Sequence, residues 1–298
     1  MSPFDRTPVR VAAFVVALAV VFAVALGLGS RVGPLDAPAA ADAGHGHGAE
    51  DRHDVGSGEH AAEVPGGVMV SQDGYTLRLA QSQRPAGRDR TVAFVIEGPD
   101  GRPVTSYTDE HEKDLHLIAV RRDFSGFQHV HPVLGADGTW TTNLDLTAGA
   151  WRVFADFTPA GGAGLTLGGD LTVPGPVRAT HARPVTRTAI VDGYTVTLHG
   201  DLDAGEHSTL TLTIRRHGAP VTDLQPYLGA YGHLVTLREG DLAYLHVHPG
   251  GEPGDGQTKP GPEVEFGAEV PSAGRYHLYF DFRHDGVVRT APFTLEAS

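Results

Sequence analysis

The chain opens on a long apolar run and never shows another. Val11–Gly29 is nineteen residues without a charge, dominated by Val, Ala, Leu and Phe. That is just enough for a membrane-spanning helix, which needs about 20. Arg6 and Arg10 precede the run and only Arg31 closely follows it. The positive-inside rule then predicts a cytoplasmic amino terminus and an exported remainder. A cleaved signal peptide is the rival reading. The small residues Ala37, Ala39 and Ala41 that would offer a cleavage site lie far from the run, and the run exceeds the roughly 7–15 residues of a usual signal core. Residues 1–31 are therefore expected to form a short cytoplasmic tail and anchor.

Residues 32–66 have almost no large apolar side chains and are rich in Ala, Gly and acidic residues. Such a stretch buries too little surface to offset its ordering entropy, so a disordered tether is expected. It carries His45, His47, His53 and His60 among carboxylates, which makes it a candidate metal-collecting tail.

Beyond the tether the pattern shortens. Tyr75–Leu79, Thr91–Ile96, Leu115–Val120 and Trp151–Phe157 are brief β-branched or aromatic segments separated by Gly, Pro and Asp. No stretch outside the anchor keeps a 3.6-residue period, so strands are expected throughout. The segments also recur. Asp73-Gly-Tyr-Thr-Leu-Arg-Leu79 returns as Asp192-Gly-Tyr-Thr-Val-Thr-Leu198, Gly101-Arg-Pro-Val-Thr105 as Gly218-Ala-Pro-Val-Thr222, and Phe127-Gln-His-Val-His-Pro132 as Tyr244-Leu-His-Val-His-Pro249. Collinear matches at this spacing indicate a duplicated domain of about 110 residues. The expected architecture is all-β: two tandem immunoglobulin-like (cupredoxin-like) β-sandwiches, residues 67–175 and 176–298, after one transmembrane helix.

Composition narrows the chemistry. The chain has no cysteine, which excludes disulfides, thiolate metal sites and thiol catalysis. A formal net charge of −13 excludes nucleic acid as a partner. Among 17 histidines, six fall into matched triplets: His116, His129 and His131, then His233, His246 and His248. The gaps of 13 and 15 residues are identical in both copies. In a strand, residues i and i+2 share a face. A hairpin turn centred on Asp123-Phe124 sets His116 opposite His131, because their numbers sum to 247. A turn at Gly240-Asp241 sets His233 opposite His248, with a sum of 481. Each triplet is thus expected to gather three imidazoles at one end of a hairpin, on the face of Ile118 and Val120 or of Val235 and Leu237, at the open end of the apolar interior. Imidazole donors suit a divalent transition metal, copper(II) first and zinc second. Asp156 and Asp281, matched within aromatic strands, are candidate additional ligands. His111, His181, His199, His207, His217, His277 and His284 lack partners in the other copy and read as surface or structural residues. Trp140, Trp151 and Tyr276 read as core.

The runs His116-Leu-Ile-Ala-Val120, Gln128-His-Val-His-Pro132 and Ala148-Gly-Ala-Trp-Arg-Val-Phe-Ala-Asp-Phe157 resemble a group of actinobacterial membrane-anchored exported proteins described as YtkA-like or heavy-metal-binding. The resemblance covers residues 68–298 and implies an immunoglobulin-like sandwich with a link to metal handling through the six histidines. More distantly, the architecture is similar to the copper-resistance C family, whose amino-terminal histidine an anchored chain lacks. No nucleophile elbow, phosphate loop or dinucleotide fingerprint is present, so no enzyme is expected. The expected function is a single-pass plasma-membrane protein whose extracytoplasmic domains buffer, sense or pass on metal, with a membrane protein as candidate partner. The alternative is an extracytoplasmic interaction module with structural histidines.

Overall fold

Among the described residues, twenty strands follow in chain order. The first repeat holds β1 (Ser71–Gln72), β2 (Tyr75–Leu79), β3 (Gly87–Glu97), β4 (Tyr107–Thr108), β5 (Leu115–Arg121), β6 (Gln128–Val130), β7 (Val133–Leu134), β8 (Thr139–Leu146), β9 (Gly149–Pro159) and β10 (Leu165–Val173). The second holds β11 (Thr188–Val191), β12 (Tyr194–His199), β13 (His207–Arg216), β14 (Ala219–Pro220), β15 (His233–Arg238), β16 (Tyr244–Leu245), β17 (Val247–Pro249), β18 (Glu263–Glu269), β19 (Gly274–His284) and β20 (Val287–Ala297). This computed structural model describes residues 64–177, 184–245 and 247–298. The expected anchor, most of the expected tether, His181 and His246 lie outside them. Among the described residues no helix is long and apolar enough to cross a membrane.

Each repeat is a two-layer sandwich. In the first, one sheet runs β1-β2-β3-β8-β7 and the other β10-β9-β5-β6. In the second, the corresponding orders are β11-β12-β13-β18-β17 and β16-β15-β19-β20. Every ladder between these strands is antiparallel, and the order is that of the ABED and GFC sheets of an immunoglobulin domain. The strands alternate as a half-buried sheet requires. Val92, Phe94 and Ile96 of β3 are buried beside Trp140 and Trp151 in the first core. Leu210, Leu212 and Ile214 of β13 are buried beside Tyr276, Phe280 and Phe282 in the second.

A third apolar cluster departs from the sequence expectation. β5 is buried on both faces from Leu115 to Val120. Leu115, Leu117 and Ala119 fill the first sandwich. Ile118 and Val120, the face shared with His116, belong instead to a cluster with Phe124, Phe154, Val235, Leu237, Leu242, Tyr244 and Tyr279. The histidine face thus does not edge each repeat's own interior. It lies where the β5 sheet of one repeat packs on the β15 sheet of the other, all within the unit His60–Ser298.

The turn tips lock this seam. Phe124 and Leu242, each at φ 62°, are bulky residues in a backbone region that favours glycine. Both side chains are buried in the seam. The Phe124 ring stacks on His277 at 3.8 Å, and its carbonyl accepts the Tyr279 hydroxyl at 2.6 Å.

Candidate metal centre

His116 lies at the start of β5, His129 in the middle of β6, and His131 just beyond it. The β5–β6 register places Ile118 opposite His129 and Leu117 opposite Val130, the pairing expected from a turn at Asp123-Phe124. One nitrogen from each of the three imidazoles lies within 4.8 Å of the others. Their ring centres are 5.3, 5.0 and 5.0 Å apart. Imidazoles sharing one tetrahedral ion through bonds of about 2.0–2.1 Å have centres roughly 5 Å apart.

The described part of the second repeat does not rebuild this triplet. Its hairpin register also follows expectation, with Thr236 opposite Leu245 and Leu237 opposite Tyr244. After Leu245, however, the chain crosses to the other sheet, where His248 is exposed and pairs opposite Gly267 on β18. In the first repeat the equivalent crossing comes only after His131, with Val133 opposite Thr141. His248 is thereby separated from His233. His233 joins the first repeat's group instead, its ring centre 4.8 Å from His129 and 5.7 Å from His116. Where the sequence suggested two sites, the described residues show one three-histidine donor group, with the His233 ring beside it at the seam.

Of the two aspartates, Asp281 bonds a histidine of this group, and Asp156 bonds its neighbours Thr166 and Tyr244. His129 Nδ1–H donates to Asp281 Oδ2 at 2.9 Å, and Asp281 Oδ1 accepts the Thr290 hydroxyl at 2.5 Å. Asp281 is 1% exposed and has both oxygens engaged. Asp156 accepts the Thr166 hydroxyl at 2.8 Å and is hydrogen-bonded by Tyr244. The carboxylate that fixes a ligating histidine's tautomer is a recurrent partner of metal sites.

The hydrogen bonds assign the tautomers. His116 Nε2–H donates to the Glu110 carbonyl at 2.9 Å, which leaves its Nδ1 with a lone pair. His129 donates through Nδ1, which leaves a lone pair on Nε2. These two nitrogens face each other at 3.1 Å. One cation, a proton or a metal ion, fits between nitrogens at that distance. Tetrahedral bonds of about 2.0–2.1 Å would set the nitrogens about 3.3 Å apart. His131 Nε2 and His233 Nε2 are buried and have no hydrogen-bond partner. By contrast, both nitrogens of His277 and of His284 are satisfied, by Glu239 and Thr294 and by Asp223 and Tyr194 respectively. Those two are structural histidines, as their lack of a repeat partner suggested.

Burial pushes the His116 imidazole down to about 4, partly opposed by the Glu110 carbonyl, and pushes His131 down to about 3. Burial and the surrounding imidazoles hold His233 well below the usual range. These groups are neutral near pH 7, the state a metal requires. The same shifts cost stability in acid. Between about pH 6.5 and 4 the unfolded chain binds protons that the folded chain refuses, so stability falls as pH falls. From pH 7 to 4, His116 alone should remove about 3 kcal/mol. Urea melts of chelator-treated protein at pH 7, 5.5 and 4 check this, and a flat profile would contradict it.

No curated protein matches the chain. Among solved structures, the Escherichia coli adhesin FdeC is 16% identical over 76% of this chain and 65% of its own, at a TM-score of 0.26. The Yersinia pseudotuberculosis adhesin InvE is 13% identical over 76% and 60%, at 0.22. The FN1–FN3 domains of chicken CNTN1 are 11% identical over 78% and 66%, at 0.22. The chain thus spans about two thirds or less of these structures, and likeness at such scores carries no functional argument. The family comparison is firmer: residues 69–173 and 189–298 match the family described as Domain of unknown function (DUF8832), and the chain belongs to it.

Proposed function

We propose that this chain is a membrane-anchored, extracytoplasmic metal-binding protein that holds one divalent transition-metal ion between its two sandwiches. His116, His129, His131 and His233 are the ligands, and Asp281 orients His129. Copper(II) is the first choice and zinc the second, because four neutral imidazoles favour both ions and copper(II) heads the affinity order. The observation that carries the reading is the gathering of one nitrogen from each of His116, His129 and His131 within 4.8 Å of the others. The buried, unpartnered nitrogens of His131 and His233 extend the same donor set. A merely structural role would satisfy these nitrogens as it satisfies those of His277 and His284. The anchor rests on Val11–Gly29 and its flanking arginines, and the metal-handling role agrees with the YtkA-like resemblance. Buffering, sensing and transfer all use this one site, and no catalytic step is assigned to it.

Calorimetry of the full chain, purified without an affinity tag and titrated with copper(II) or zinc, tests the reading. One tight equivalent per chain is expected. The H248A variant should bind as wild type does, since His248 sits on the far sheet. Failure of the wild-type chain to bind either ion would overturn the proposal in favour of an interaction module.

A further inference from the structure

One histidine set aside by the sequence comparison stands over this site. His111 is exposed, yet its ring centre is 5.9 Å from His233 and 6.1 Å from His116. It is carried by a two-residue turn closed by reciprocal backbone bonds between Glu110 and Lys113, at 2.9 and 3.0 Å. Both central residues have positive φ, 49° at His111 and 67° at Glu112. Such a turn ordinarily selects Asn-Gly. Holding His-Glu in it costs conformational energy, and such strain persists where the surroundings impose it. Here the Glu110 carbonyl also receives the His116 Nε2–H, so the turn is tied to a proposed ligand. Asp109, Glu110, Glu112 and Asp114 flank His111 along the chain against one cation, Lys113, and a net negative segment raises the local concentration of cations.

Beneath His111 lies His233, whose Nε2 is buried and without a partner. His233 in turn lies 4.8 Å, centre to centre, from His129. The imidazoles therefore form a graded series from solvent to the buried group. A second approach is a cleft of about 350 Å³ beside His131, lined by Thr91, Val133, Thr141, Thr142 and Asn143. Apart from His131 it presents hydroxyls, one amide and a valine, and no nitrogen or carboxylate ligand that would hold a divalent ion in transit.

Resting on the metal reading above, we propose that His111 is the exchange ligand of the site: it takes a divalent ion from solvent, passes it to His233 and the buried histidines, and receives it again on release. This adds to the site a residue with no counterpart in the second repeat. It also implies that exchange runs through the Glu110–Lys113 turn and not past His131.

Stopped-flow uptake of copper(II) by the full chain, and its removal by an excess of chelator, tests the role. In H111N, where asparagine tolerates the left-handed turn but supplies no imidazole, both rates should fall by tenfold or more. Their ratio, the Kd, should move by less than threefold. In H111G the same slowing should accompany a rise of about 2 °C in the metal-free melting temperature, because glycine relieves the positive φ. Wild-type rates in both variants would overturn the proposal, and so would loss of the bound equivalent, which would make His111 an indispensable ligand. H129A separates the two readings: it loses binding if the metal site is real, whatever H111N does. A wild-type chain that binds no copper(II) would sink both together.

Discussion

Replacing His129 with alanine should abolish tight metal binding and destabilise the metal-free fold at once. His129 supplies one nitrogen of the three-histidine donor group, and its ring lies 4.8–5.3 Å from those of His116, His131 and His233. If a structural site of about 10–16 kcal/mol is shared among four ligands, each contributes roughly 3 kcal/mol, or about 100-fold in Kd. The stability loss has a separate cause. His129 and Asp281 side chains are each 2% exposed in their pair. Truncating one partner of such a pair leaves the other charged and uncompensated, at a cost of about 3 kcal/mol or more. The double variant H129A/D281N should therefore recover much of the stability while still failing to bind. D281N alone should keep the ligand but lose its orientation, weakening affinity by about 10–100-fold. Calorimetric titrations and urea melts of the four proteins complete the cycle. Wild-type affinity in H129A would remove the metal reading; equal instability of single and double variants would remove the charge-pair explanation.

Much of this geometry was legible before any fold was in view. The matched Asp-Gly-Tyr segments at Asp73 and Asp192 announced the repeat. The turn at Asp123-Phe124 and the 15-residue gap from His116 to His131 placed that triplet at one hairpin end. What alternation cannot decide is which face of β5 turns inward, because Leu115, Leu117 and Ala119 are as apolar as Ile118 and Val120. The packing of one repeat on the other therefore stayed hidden, and with it the approach of His233 to His116 and His129. His248 misled for a local reason. His-Val-His-Pro is identical in both copies, but the chain leaves the β15 sheet before Val247 and leaves the β5 sheet only after His131. That difference lies in strand pairing and not in residue type. His111 was missed because its turn reads Glu-His-Glu-Lys, without the Asn or Gly that marks positive φ. A nearer signal was the run of carboxylates around one histidine, seven residues or fewer from His116.

The seam makes a second large effect expected: V235D should cost at least 100-fold in metal affinity although it touches no ligand. Val235 is 0% exposed and packs with Ile118, Val120, Phe154 and Tyr279 in the inter-sandwich cluster, outside the second repeat's own core. A carboxylate there has no partner among these apolar neighbours. Burying it costs several kcal/mol unless the seam opens, and opening is the easier response for two sandwiches with separate cores. Once the seam opens, His233 and Asp281 leave His129, and only His116, His131 and an unoriented His129 remain together. Losing one ligand and the orienting carboxylate gives about 100-fold or more by the same apportioning. The milder V235A should lower affinity by a few-fold without opening the seam, and it keeps the test informative if V235D folds poorly. Copper(II) calorimetry, with far-UV circular dichroism to confirm that the β content survives, reads both. Wild-type affinity in a folded V235D would mean that the first repeat binds metal alone; a graded loss from V235A to V235D would mean that metal binding and the docking of the two repeats are one equilibrium, so that an ion entering the site also holds the sandwiches together.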